Sequence, residues 1–94
     1  MVEFEWDASK AALNLSKHGV SIGEAMTIFG DPLETLIPDP VHSAEELRFV
    51  SIGLSEADRV LVVVYAERDQ RIRIISAREP NPVERRQYES KVQF

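Results

Sequence analysis

Alternation and helical spacing of apolar residues predict most of the elements in this chain. Phe4 and Trp6 alternate with Glu3, Glu5 and Asp7, the pattern of a short strand with one buried face. Asp7 stands where it caps a helix. In that helix Ala8, Ala11, Ala12 and Leu15 form the apolar side, Lys10, Asn14 and Lys17 take the other, and Gly19 supplies a left-handed stop. Ser21-Ile22-Gly23-Glu24 has the form of a capping box, with Val20 placed to staple onto Ala25. The stripe Ile22, Ala25, Met26 and Phe29 then predicts a second helix ending at Gly30-Asp31-Pro32.

Beyond Pro32 the period changes. Leu33 to Ile37 reads as a strand that Pro38 and Pro40 confine to a sheet edge, because proline cannot donate to a ladder. A polar connection from Val41 to Glu46 leads into a strand from Leu47 to Leu54, with Arg48, Val50 and Ile52 on one face. Ser55 to Asp58 make a turn. The run from Arg59 to Ala66 is too continuously apolar to have a solvated face and belongs at the centre of the sheet. A short connection, Arg68-Asp69-Gln70, predicts a hairpin to the strand from Arg71 to Glu79. Asn81-Pro82-Val83-Glu84 then opens a last helix running to about Lys91. The expected architecture is α+β, one domain over residues 1–94. It has an antiparallel sheet of four to five strands packed with two N-terminal helices and one C-terminal helix.

Composition narrows the classes. With 94 residues, 44% hydrophobic and 29% charged, the chain has material for one core. The absence of cysteine removes disulfides and thiolate metal sites, and fits a reducing compartment. Two histidines without a His-Glu-x-x-His spacing argue against a metal centre, and four scattered glycines cannot build a phosphate-cradling loop, so no cofactor is expected. The N-terminus lacks a basic start and a long apolar run, so a cytoplasmic protein without membrane contact is expected. A formal charge of -5 argues against coating nucleic acid through bulk electrostatics but leaves room for a local basic site.

The strand Arg71-Ile72-Arg73-Ile74-Ile75-Ser76-Ala77-Arg78 is where such a site is expected. A period-2 reading puts Ile72, Ile74, Ser76 and Arg78 on one face and Arg71, Arg73, Ile75 and Ala77 on the other. Arginines mixed with aliphatics on a central strand must meet carboxylates or mark a groove for an anion. Arg73 and Arg78 can line one groove only if a bulge or a strand end turns one of them.

A set of short pieces in fixed order carries a family resemblance. These are Phe4-x-Trp6-Asp7-x-x-Lys10, Asn14-x-x-Lys17-His18-Gly19-Val20, Glu24-Ala25-x-x-x-Phe29, His42, Glu46-x-Arg48-Phe49, Arg73-Ile74-Ile75-Ser76-Ala77-Arg78 and Glu84-Arg85-x-x-Tyr88. Together they closely resemble the BrnT toxin family over nearly the whole chain. The resemblance implies a RelE-like ribonuclease toxin of a type II toxin-antitoxin pair. Its RNA endonuclease activity would arrest growth, and a BrnA-type antitoxin with a ribbon-helix-helix DNA-binding part would neutralise it. DNA would then be met only through the antitoxin.

Cleaving RNA without a metal requires a base for the 2'-hydroxyl, cations for the phosphate and an acid for the leaving oxygen. On this reading His18 and Glu46 are the candidate base and acid, with Arg48 and Arg78 as catalytic phosphate clamps, and Lys17, His42, Arg73 and Tyr88 as RNA-binding residues. Plainer readings stand beside these. His18 fits a helix end, where the dipole favours a cation. Glu46 and Arg48, two apart on a strand, fit an ion pair. Tyr88 either stacks a base or hydrogen-bonds to Glu84 one turn earlier. Trp6, Phe29 and Phe49 read as core. The alternative function is a catalytically inactive binding module that serves as corepressor with its antitoxin, a reading that the acidic balance favours.

Overall fold

The computed structural model describes residues 3–38 and 48–92. Strands β1 (Glu3–Glu5), β2 (Thr35–Pro38), β3 (Arg48–Leu54), β4 (Val60–Arg68) and β5 (Arg71–Arg78) form one sheet in the order β1-β5-β4-β3-β2. The helices are α1 (Ala8–His18), α2 (Ile22–Met26) and α3 (Pro82–Val92). This is the expected α+β architecture, with β4 at the centre and β2 at an edge. The sheet is mixed rather than wholly antiparallel, because β1 pairs with β5 in parallel over three residues. The chain returns to β1 only after the whole meander β2 to β5, so the last strand lies along the first.

Helices α1 and α2 cover one face, over a core that includes Val20, Ala25, Ile28, Leu61, Val63 and Ile74. On the other face α3 sets Tyr88 against Val50, Ile52, Val60 and Val62. The second helix is shorter than its apolar stripe predicts. It tightens into a 3-10 turn over Thr27–Gly30 and buries Ile28 completely, while Phe29 packs from the margin against Phe4 and Tyr65. Gly53 permits this contact. A Cβ there would stand 2.9 Å from the Cβ of Ile28, closer than two carbon atoms tolerate.

Helix α1 does not present the expected side to the core. Leu15 is 52% exposed and Leu13 67%, whereas Asn14 is buried. The reason is hydrogen bonding. Asn14 Nδ2 donates to the carbonyls of Val20 and Ala77, each at 2.9 Å, and its Oδ1 accepts from the Ala77 N–H at 3.0 Å. The side-chain amide therefore pairs with β5 beyond the end of β1, as a neighbouring strand would. Trp6 also departs from the expected core position, at 45% exposure, because β1 ends at Glu5 and the alternation ends with it.

Carboxylates tie the helices to the sheet. Glu24 receives Arg59 at both oxygens, at 2.6 and 2.7 Å, and the same guanidinium donates to the Gly19 carbonyl at 2.8 Å. The fork and the Ser55 hydroxyl hold the Glu24 carboxyl below its ordinary pKa against the cost of burial. Asp31 accepts from Tyr88 Oη at 2.5 Å and from the N–H groups of Leu54 and Leu33. Burial pushes its carboxyl up, and these three donors together outweigh burial and leave it lowered. The Tyr88 phenol, buried and bonded to that carboxylate, is pushed up to about 12.

Replacing Asn14 by Ala leaves buried backbone groups of Val20 and Ala77 without partners. The expected loss is about 3 kcal/mol of unfolding free energy in urea titration; a loss below about 1 kcal/mol would show that water replaces the amide. Acid should also unfold the protein in a defined window. Glu24, Asp31 and Glu84 have folded pKa values below their unfolded ones, so their contribution is complete above the unfolded carboxylate range and is lost as pH falls through the folded values. Urea midpoints should be level above about pH 6 and fall steeply below about pH 4. In Asp31→Asn that slope should be shallower, and an identical slope would remove Asp31 from the account.

Candidate functional site

The placement of the cations depends on one irregularity in β5. Val64 pairs with Ser76 and Tyr65 with Ile74, so Ile75 is an extra residue, a β-bulge. The bulge reverses the alternation halfway along the strand. Ile72, Ile74 and Ala77 all turn toward α1 and α2, while Arg73, Ser76 and Arg78 share the opposite face, in register with Ala66, Val64 and Val62. The regular period-2 reading is thereby corrected, and the two arginines it separated lie on one side.

Register then aligns a row across the sheet. Glu5 of β1, Arg73 of β5, Ala66 of β4 and Arg48 of β3 are successive partners, and the small Ala66 stands between the two arginines. Arg48 and Arg73 line a pocket of about 100 Å³ together with Arg68, Lys10 and Asp7. A second, more open groove of about 330 Å³ runs between α1 and β5, lined by Lys10, Leu13, Lys17, His18 and Ile75 among others. Two cations of the cavities, Arg68 and Lys10, are not among the candidate site residues read from sequence. Arg68 stands opposite Arg71 at the hairpin end, and Lys10 lies two helical turns before Lys17. The helical period carried the signal for Lys10, since positions seven apart fall on one side.

The counter-ions differ in strength. Arg73 meets Glu5 at 3.5 Å, and Arg71 meets Glu3 at 3.1 Å and Glu5 at 3.7 Å. Arg48 and Arg68 also have interaction partners. Asp7 caps α1 through the Lys10 N–H at 3.0 Å, and that bond, with the nearby charges of Lys10 and Arg73, holds its carboxyl below the ordinary value.

Arg78 is held differently. Its two terminal nitrogens fork onto Glu84 at 2.7 and 2.8 Å, and Glu84 also accepts from the N–H of Asn81 in the capping box that starts α3. The ion pair raises the Arg78 pKa and lowers that of Glu84. Arg78 lies five residues from Arg73, roughly 15 Å along the strand, and lines neither cavity described above. Tyr88 is 5% exposed, with its hydroxyl on Asp31 rather than Glu84, so it packs in the core and offers no face to a base. His18 and Lys17 are exposed at the C-terminal end of α1. His42 and Glu46 lie outside the described residues. Among the described residues, no group of three or more His, Asp or Glu is placed to share a metal ion, and no helix is long and apolar enough to cross a membrane.

Fold and site together define a small α+β protein whose mixed sheet and first helix carry two adjoining cavities with Arg48, Arg68, Arg73, Lys10 and Lys17 among their lining residues. The chain belongs to the family of BrnT ribonuclease toxins of type II toxin-antitoxin systems, whose model matches residues 6–84. In structure it resembles the Brucella abortus ribonuclease toxin BrnT, solved at 1.1 Å, with a TM-score of 0.67 at 18% identity, covering 86% of this chain and 99% of that one. No curated protein matches the sequence.

Arg78→Ala should loosen α3 before it affects anything else, because Glu84 then keeps only the capping box. Amide exchange across residues 82–92 is expected to rise roughly tenfold, with Arg78→Lys in between. Unchanged exchange would show that the fork does not hold the helix.

Proposed function

We propose that this chain is itself an active toxin, an RNA endonuclease that needs no metal ion, acts in the cytoplasm and is neutralised by a BrnA-type ribbon-helix-helix antitoxin. The observation that carries this is the pocket shared by Arg48 and Arg73, with Lys10 closing it from α1. Guanidinium forks match phosphate oxygens, and three cations around one small cavity can stabilise the extra charge of a pentacoordinate phosphate.

The chemistry uses the substrate's own nucleophile. The 2'-hydroxyl loses its proton to a base and its oxygen bonds to the adjacent phosphorus. The bond from phosphorus to the 5'-oxygen breaks, and that oxygen takes a proton. The products are a 2',3'-cyclic phosphate and a 5'-hydroxyl. His18 and Glu46 are proposed for the two proton transfers, with Lys17 and His42 along the RNA. Arg78 enters as a positioning residue, since a guanidinium forked onto Glu84 does not at the same time fork a phosphate. A segment of the antitoxin would cover the groove and supply DNA binding for the pair.

The competing reading is an inactive corepressor module. The charge of -5 and the carboxylates against Arg73 and Arg78 favour it. Purified, antitoxin-free protein incubated with an RNA oligonucleotide in EDTA separates the two. Cleavage with cyclic-phosphate ends, no cleavage of the all-deoxy oligonucleotide, and a rate about 100-fold lower in Arg73→Ala are expected. RNA intact under all conditions would establish the module instead.

A further inference from the structure

The two cavities adjoin. Lys10 and Ile75 line both, which sets the pocket of Arg48, Arg68 and Arg73 beside the groove that holds Lys17 and His18. We infer that they form one track for a single strand of RNA, in which Lys10 bridges the phosphate in the arginine pocket and the next phosphate along α1. This rests on the reading of the chain as an RNA-binding toxin and specifies the form of its substrate.

Three observations support a single strand. Lys10 and Lys17 are seven residues apart on α1, about 10 Å along the helix axis, so the cations are spaced along one path rather than spread over a flat face. Between them Leu13 is 67% exposed, and Ile75, set out of the regular pairing by the bulge, is half-buried opposite it. An apolar pair flanking a line of cations suits an unstacked base beside its own phosphates, whereas a duplex keeps its base faces stacked inside. The groove also lies between α1 and β5 rather than on a broad convex surface. Duplex recognition needs contacts spread over successive grooves, and these cavities gather them into one.

Lys10 is suited to this role because, among the described residues, its side chain makes no hydrogen bond or close ion pair and only adds its charge to the field at Asp7. Its backbone N–H receives the Asp7 cap, while the side chain is part of an exposed residue lining both cavities. Replacing it therefore leaves the helix cap in place.

The test uses a 2'-O-methyl RNA of about ten nucleotides, which lacks the nucleophile, with binding followed by fluorescence anisotropy across a salt series. Lys10→Gln should weaken binding at low salt about tenfold and reduce the log–log salt slope by about 0.7, the value for one phosphate contact on a single strand. Arg85→Gln is the control, because it makes the same change in net charge on α3, where Arg85 faces Glu89 at 3.6 Å. A duplex of the same sequence should bind at least about tenfold more weakly than the single strand.

Equal slopes in Lys10→Gln and Arg85→Gln, or equal binding of duplex and single strand, would overturn the inference even if the unmodified RNA is cleaved. A slope change with unmodified RNA left intact would uphold the track while removing the catalytic reading. No binding by the wild-type protein would remove both.

Discussion

The side-chain amide of Asn14 is the contact on which the arrangement of helix and sheet depends. It donates to Val20 and Ala77 and accepts from Ala77, so one residue joins α1, the turn into α2 and the last strand. Strand β1 pairs with β5 only as far as Arg73, and without the amide the backbone of Ala77 would be a sheet edge under a helix, with nothing to satisfy it. Fixing that edge fixes the lie of α1 across it. Lys10, Lys17 and His18 are carried by the same helix, so the path of the groove follows from a hydrogen-bond requirement and not from any attraction among the cations, which repel one another.

The bulge at Ile75 is the second constraint, and it works with the first. Ala77 can meet Asn14 and fill the core beside Val63 only because the extra residue turns it inward, and the same turn sends Arg73 and Arg78 to the opposite face. Arg78 is then taken by Glu84, at the start of α3. Arg73, at the other end of the strand, meets Glu5 at the longer distance of 3.5 Å. One strand thus carries a tightly forked arginine and a more loosely paired one, and what separates them is the geometry of the carboxylate each one meets.

Much of this was legible in the sequence, for identifiable reasons. Capping boxes at Ser21 and Asn81, the glycine stop at Gly19, the prolines that confine β2 and the apolar run of β4 are local signals, and each element they mark is present. The resemblance that Lys17-His18-Gly19-Val20 and Ile74 to Arg78 carry led to the right family. What stayed hidden depends on partners distant in the chain. Asn14 read as lying on the side away from the core because its two partners, Val20 and Ala77, are six and sixty-three residues away. Tyr88 read as stacking a base or bonding to Glu84 because Asp31, which binds its hydroxyl, is fifty-seven residues off. Arg68 and Lys10 are not among the candidate site residues, although Lys10 stands in the quoted motif, because a cavity formed by β3, β4, β5 and a helix has no local period. The bulge had been named as the condition under which Arg73 and Arg78 could share a face, yet nothing in the strand's own residues announced it.

The surplus of carboxylates, sixteen against eleven lysines and arginines, bears less on the groove than the net charge suggests. Charges separated by more than about 8 Å through solvent are largely screened at physiological ionic strength, so acids on distant surfaces add little at the pocket. Among the described residues, Asp7 lines the pocket and Glu5 stands against Arg73. Asp7 already spends one oxygen on the Lys10 N–H at 3.0 Å. Glu5 sits 3.5 Å from Arg73 and 3.7 Å from Arg71, longer than the 2.7 and 2.8 Å fork that holds Arg78. An anion at Arg73 would displace a loose, partly exposed carboxylate, which would return to water at little cost. At Arg78 it would have to break a bidentate pair that braces the start of α3. The strand therefore offers an anion one inexpensive arginine and one costly one, and the acidic composition of the chain does not change that order.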